Sequence, residues 1–298
     1  MEKPQALKTG DKVSIISTAR KISLEEVQPA INLLTDWGLE VVLGKNLFAE
    51  DHQFAGTKAQ RITDLQLALN NKEIKAIFCA RGGYGTVQLI DEIDFSDFKK
   101  QPKWIVGYSD VTVLHNHINQ NFGIATLHAT MPINFKTNTT AALQSLKDAL
   151  FGNTLNYECA SHAYNRLGEA KGELVGGNLS ILYSLTGTVS QINTEDKILF
   201  LEDLDEYLYH IDRMMQNLKR AGMLHGLKGL LIGGMTDMND NTIPYGYSAI
   251  DIVKNIVAEY DFPVAFGFPA GHLADNRTLI MGGEVVLKVG EERTMLSF

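Results

Sequence analysis

Short apolar runs separated by amphipathic stretches fill the first half of the chain. Val13–Ser17, Leu39–Leu43, Ala76–Ala80, Trp104–Val106 and Ile124–Leu127 are of strand length and rich in aliphatic residues, the pattern of strands buried on both faces. Between them the spacing predicts helices. Ser23 begins one as N-cap, with Glu26 three residues on completing a capping box and Gly38 stopping the helix after Trp37. Thr57–Asn70, with apolar Ile62, Leu65, Leu67 and Leu69, reads as the next; Thr86–Glu92, Asp110–Asn121 and Thr140–Phe151 follow. This alternation predicts an α/β fold with a doubly wound, mostly parallel sheet of the flavodoxin or Rossmann type.

Around Asn153–Arg166 the pattern lapses into polar, irregular sequence, and beyond Lys171 glycine and β signals increase. The expected division is an N-terminal α/β domain over 1–152, a crossover over 153–170 and a second, smaller α/β domain over 171–298. In the latter, strands are expected at Lys197–Leu201, Lys228–Ile232 and Val264–Phe266, with a hairpin within Thr278–Val289. Helices are expected at Leu179–Leu185, Tyr207–Ala221 and Ser248–Tyr260.

Composition narrows the function classes. The 27 basic residues are outnumbered by 35 acidic ones and form no cluster, so nucleic acid is not an expected partner. No apolar run approaches the roughly 20 residues that span a bilayer, and Met1–Lys12 has no apolar core of signal-peptide length. Cys79 and Cys159 are far apart, and Cys79 lies in an apolar run that favours a buried thiol over a disulfide. A cytoplasmic protein without a membrane partner is expected.

Candidate chemistry gathers at turns. After Trp104-Ile105-Val106 the chain reads Gly107-Tyr108-Ser109-Asp110, placing Ser109 where a strand turns into a helix. Arg81-Gly82-Gly83-Tyr84-Gly85 follows another strand, and in doubly wound sheets both turns fall at the carboxyl edge where sites form. The glycine turn does not match Gly-x-Gly-x-x-Gly, so a dinucleotide is not expected. Its backbone N–H groups, with that of Asp110, suit an oxyanion: Gly83 and Asp110 are the donors expected, beside Gly82. Arg81 would either bind a substrate carboxylate or pair with an internal acid.

A serine nucleophile needs a base, and the base an orienting acid. His272, in Pro269-Ala270-Gly271-His272, sits on a turn stiffened by proline and glycine, and both a functional and a structural reading stand. Glu202 ends the apolar run Ile198–Leu201, where it could hold a histidine or cap a helix; Asp203 and Asp205 could cap equally well. His128, at the end of a strand, is either a core residue or a support for the site. His115 and His117 read as structural. No His, Cys and carboxylate cluster has metal-ligand spacing, so neither metal nor other cofactor is expected.

With these residues collected, the chain resembles the LD-carboxypeptidase (muramoyltetrapeptide carboxypeptidase) family of serine peptidases. The marks are Arg81-Gly82-Gly83-Tyr84-Gly85, Gly107-Tyr108-Ser109-Asp110, Gly176-Gly177-Asn178-Leu179, Leu201-Glu202-Asp203 with Tyr209-His210-Ile211-Asp212-Arg213 downstream, and Gly271-His272. The resemblance implies a triad of Ser109, Glu202 and His272, the serine from the first domain and the other two from the second. It also implies hydrolysis of the amide to a terminal D-alanine in cytosolic murein tetrapeptides through an acyl-enzyme, and a homodimer. The loop after His272 departs from the family's pattern: Leu273 stands where many members have glycine, and Met281 where they have proline. Two alternatives accompany this reading. One is cleavage of peptidyl-nucleotide antibiotics by a member of the same family; the other is a two-domain binding protein without chemistry.

Overall fold

The computed structural model describes residues 1–298. Its first half is an open α/β sandwich made of β1 (Lys12–Ile16), α1 (Leu24–Asp36), β2 (Glu40–Leu43), α2 (Lys58–Asn70), β3 (Ile74–Cys79), α3 (Ser96–Lys100), β4 (Trp104–Gly107), α4 (Thr112–Phe122), β5 (Thr126–His128) and α5 (Thr140–Leu150). Apart from the edge strand β2, whose residues are exposed or half-buried, the strands are almost entirely buried because helices cover both faces, which explains their continuous apolar runs. The expected capping box forms at Ser23–Glu26, and a second forms at Thr57–Gln60. Leu67, one of the apolar positions of α2, faces solvent.

The second half contains β6 (Asn156–Ala160), β7 (Gly168–Asn178), α6 (Leu179–Leu185), β8 (Ile198–Leu204), α7 (Leu208–Arg220), β9 (Gly229–Thr236), α8 (Ala249–Ile256), β10 (Val264–Ala265), β11 (Leu279–Met281), β12 (Glu284–Val289) and β13 (Arg293–Ser297). Its sheet has the order β10-β9-β8-β7-β12-β13-β6. The β7 to β10 half is parallel, and the remainder is antiparallel. Long β7 joins the halves, pairing with β12 over Gly168–Glu173 and with β8 over Leu174–Asn178.

The first sheet has the order β11-β5-β4-β3-β1-β2. Its outermost strand comes from the far end of the chain: β11 pairs antiparallel with β5, Leu279 opposite His128. The two halves are therefore stitched by a shared sheet as well as by the crossover. Three local expectations change. Residues 86–92 form two short 3₁₀ turns rather than a helix. The polar stretch after Asn153 contains β6, which pairs with β13. The expected Thr278–Val289 hairpin does not form, because β11 and β12 join different sheets. β6 is the edge strand and β13 lies next to it; both have one exposed face, so their residues alternate between inside and solvent and write no continuous apolar run.

The glycine pair Gly176-Gly177 belongs to the joint between the halves. A methyl group on Gly177 would lie 2.7 Å from Thr112 Oγ1, and one on Gly176 would lie 2.1 Å from the Phe200 carbonyl oxygen. Only bare backbone lets β7 approach the start of α4 this closely. Across the joint, Thr112 Oγ1 accepts a hydrogen bond from Asn178 N (3.1 Å) and Asn116 Nδ2 donates to Gly176 O (3.2 Å).

Candidate active site

Ser109 stands at the end of fully buried β4, with a backbone φ of +61°. That left-handed conformation is uncommon for a residue with a side chain, costs roughly 1–3 kcal/mol, and persists only where the surroundings impose it. Here the surroundings are a tight turn: extended Tyr108, then a 3₁₀ turn over Ser109–Val111 leading into α4. The glycine-rich turn after β3 packs against it. A methyl group at Gly82 would come within 3.1 Å of Ser109 Cβ and 3.2 Å of its Oγ. The buried Asp110 carboxylate ties the two turns together by accepting from Thr86 N at 2.9 Å. Burial pushes the Asp110 pKa up, a cost that its hydrogen bonds and nearby Arg61 partly offset.

Glu202 and His272 meet opposite. Glu202 lies in β8 where the register against β9 shifts between Leu201 and Asp203, a bulge that re-aims the side chain. It is fully buried, and its Oε2 lies 2.7 Å from His272 Nδ1. The same oxygen accepts from His272 N at 3.3 Å. A carboxylate only accepts, so Nδ1 carries the proton and Nε2 keeps its lone pair. Gly271, at φ +106°, makes the approach possible: a methyl group there would come within 2.7 Å of Glu202 Cβ and Oε2. Burial alone would lower the His272 pKa; the charge and hydrogen bond of Glu202, with Asp203 behind it, overcome this and raise it. Burial likewise opposes ionised Glu202, but His272 and His128 outweigh it and hold the carboxylate below its usual range.

We expect Gly271→Ala to push Glu202 off His272. Activity should fall by about 10²-fold, as for other misplacements near 1 Å, and stability by roughly 1–3 kcal/mol from overpacking. Turnover and thermal unfolding of the variant check both.

Asp203, which sequence could not separate from Glu202, faces elsewhere. It accepts from Asn178 Nδ2 (2.9 Å) and Ser180 N (2.8 Å), supporting the start of α6. Burial and the neighbouring Glu202 push its pKa up to about 7. Asp205 instead accepts from Asn239 Nδ2. Arg81 lies near an internal acid, 3.6 Å from Glu26 Oε1, and donates to Lys21 O. Sequence reasoning overlooked Tyr108 and Arg20. The Tyr108 ring lies edge-on to His272 with centroids 4.8 Å apart, so it connects the serine turn to the histidine across the halves. The His272 ring's hydrogen bond goes to Glu202, and the Ser109 hydroxyl makes none to it in this structure. Arg20, exposed at the end of the β1 turn, lays its stem against Gly83, where an added methyl would collide with its Cγ and Cδ. No signal in the single sequence distinguishes either residue.

The model of the LD-carboxypeptidase N-terminal domain matches residues 13–129, and that of the C-terminal domain matches residues 171–287. The chain belongs to the LD-carboxypeptidase family. Among relatives of this family member, a probable murein peptide carboxypeptidase of Bacillus subtilis is 34% identical over 99% of this chain and 94% of its own. The murein tetrapeptide carboxypeptidase of Pseudomonas aeruginosa is 27% identical over 93% of each chain. Among solved structures, the muramoyltetrapeptide carboxypeptidase of Oxalobacter formigenes superposes with a TM-score of 0.87 at 26% identity, covering 96% of this chain and 98% of that one. The microcin C7 self immunity protein MccF shares the fold, with a TM-score of 0.88 at 19% identity, covering 100% and 98%. No helix of this LD-carboxypeptidase-family chain is long and apolar enough to cross a membrane.

Proposed function

We propose that this protein is a serine carboxypeptidase that removes the terminal D-alanine from murein tetrapeptides, with Ser109 as nucleophile, His272 as base and Glu202 as its orienting acid. The observation that carries the reading is the buried 2.7 Å Glu202–His272 contact, which leaves Nε2 as a free acceptor on a ring packed against Tyr108, the residue before Ser109. Relatives named as murein peptide carboxypeptidases support the substrate.

The steps follow from these groups. His272 Nε2 takes the proton of Ser109 Oγ as the oxygen attacks the carbonyl carbon of the scissile amide. The carbonyl oxygen becomes an oxyanion held by Gly83 N–H and Asp110 N–H, an interaction that typically contributes 10²–10³-fold per donor. As the intermediate collapses, the C–N bond breaks and the imidazolium returns its proton to the leaving amine, freeing D-alanine. Glu202 stabilises the imidazolium while it exists. Water then repeats the sequence on the ester: His272 accepts its proton, hydroxide adds to the acyl carbon, and Ser109 leaves with the proton.

A carboxypeptidase must also recognise a carboxylate. Arg81 is already engaged with Glu26 and the Lys21 carbonyl, whereas Arg20 is exposed beside the glycine turn. We assign substrate carboxylate binding to Arg20, with Arg81 holding the turn through α1. Arg20→Ala should therefore raise KM by about 10–100-fold, the scale of one lost hydrogen bond to a charged group. Arg81→Ala should change KM less; steady-state kinetics on a tetrapeptide decide, and the reverse order would return the role to Arg81.

The proposed setting is the cytoplasm, and the proposed assembly a homodimer, which light scattering of the purified chain tests. The function itself is tested by release of D-alanine from a defined tetrapeptide; a peptidyl-nucleotide offered in parallel tests the antibiotic reading. A pure binding protein would cleave neither.

A further inference from the structure

One buried group faces the site and has no part in the mechanism above. His128 ends β5 beside Gly107 of β4, and its side chain is completely inaccessible. Its ring packs edge-on against Phe200 (centroids 5.0 Å) and tilted against Tyr108 (5.8 Å), the residue that also touches His272. His115, 6.4 Å away between centroids, is turned aside by a 2.8 Å hydrogen bond with the Gly107 carbonyl. Neither nitrogen of His128 has a hydrogen-bond partner, and neither does Glu202 Oε1. These orphaned atoms face one another: His128 Nε2 lies 3.9 Å from Glu202 Oε1. Buried polar atoms are costly when left unpaired, so two complementary ones in one dry site call for an explanation.

We infer that His128 is a positioning residue, which directs an Nε2–H at Glu202 Oε1 and so holds the carboxylate's other oxygen on His272. Glu202 is then gripped from both sides, and its rotation away from His272 is blocked. At 3.9 Å the contact is electrostatic, and closing it to a hydrogen bond requires a shift of about 1 Å. That shift draws no atom out of the core, because Phe200 and Tyr108 guide the ring. The gain comes when the imidazolium of His272 forms and the carboxylate must stay in line. The inference rests on the triad reading and deepens it.

Two variants separate a donor from a packing residue. His128→Phe keeps a stacked ring without a donor, whereas His128→Gln keeps a donor N–H without the ring. Expected are a kcat loss of about 10–100-fold for Phe, little change in KM, and recovery toward parental turnover in Gln. A Phe variant with parental kcat, or a Gln variant as impaired as Phe, overturns the inference. Neither result touches the triad, which fails separately if Ser109→Ala keeps parental activity. A measurement on the unaltered protein covers the case in which a variant does not fold. Nitrogen-15 NMR of the histidine rings should find the His128 Nε2 protonated, and an unprotonated Nε2 would overturn the inference.

Discussion

Ser109→Ala is expected to release D-alanine from a murein tetrapeptide about 10⁴–10⁶-fold more slowly than the parent protein, the range for losing the nucleophile of a triad. The substitution removes one oxygen from a residue forced into a left-handed backbone at φ +61°. Alanine tolerates that conformation no better than serine, so the fold around β4 should be unchanged and thermal unfolding close to parental. Substrate binding, which we assign to the turn and Arg20 rather than to the hydroxyl, should persist. The variant is therefore expected to bind tetrapeptide without cleaving it, which calorimetry and product analysis can show together. Parental turnover in Ser109→Ala would remove the nucleophile assignment.

The second large effect concerns Glu202. In the proposed mechanism His272 takes the proton of Ser109 only when neutral, so kcat/KM should rise with pH through the His272 pKa. Burial, the largest influence, pulls that pKa down, yet the Glu202 charge and hydrogen bond, together with Asp203, leave it above the ordinary 6.5. The acid limb of the parental profile should accordingly lie above pH 6.5. Glu202→Gln keeps the shape of the side chain and can still accept from Nδ1, but it removes the charge that opposed burial. Its acid limb should then fall below pH 6.5, and kcat should drop by about 10²–10⁴-fold because the imidazolium loses its counter-charge. An acid limb that does not move would show that Glu202 does not set the protonation of His272.

The strand and helix framework of the first half was legible because its strands, the edge strand β2 apart, are buried on both faces, which writes a continuous apolar run into the sequence. The elements that escaped carry no such signature. The β6 and β13 strands sit at the end of a sheet with one face wet, and β11 is short and leaves its own half to complete the other sheet. A sequence gives the length of an apolar run but not the sheet it will join. The Ser109 turn was visible from local order alone, strand then glycine then serine then helix. His272 and Glu202 could be singled out by their turns and strand ends, but their pairing needed the bulge in β8 and the bare backbone of Gly271. The separation of Glu202 from Asp203 was beyond local reading, since adjacent residues differ only in which way the bulge turns them. His128 read from sequence as either a core residue or a support for the site; its facing Glu202 depends on the pairing of β4 with β5.

The account stands on one reaction. The purified protein should be incubated with murein tri-, tetra- and pentapeptides and the products weighed by mass spectrometry. The account predicts conversion of the tetrapeptide to tripeptide with loss of one D-alanine, in the parent and not in Ser109→Ala. An intact tetrapeptide after prolonged incubation with folded parent protein would contradict it.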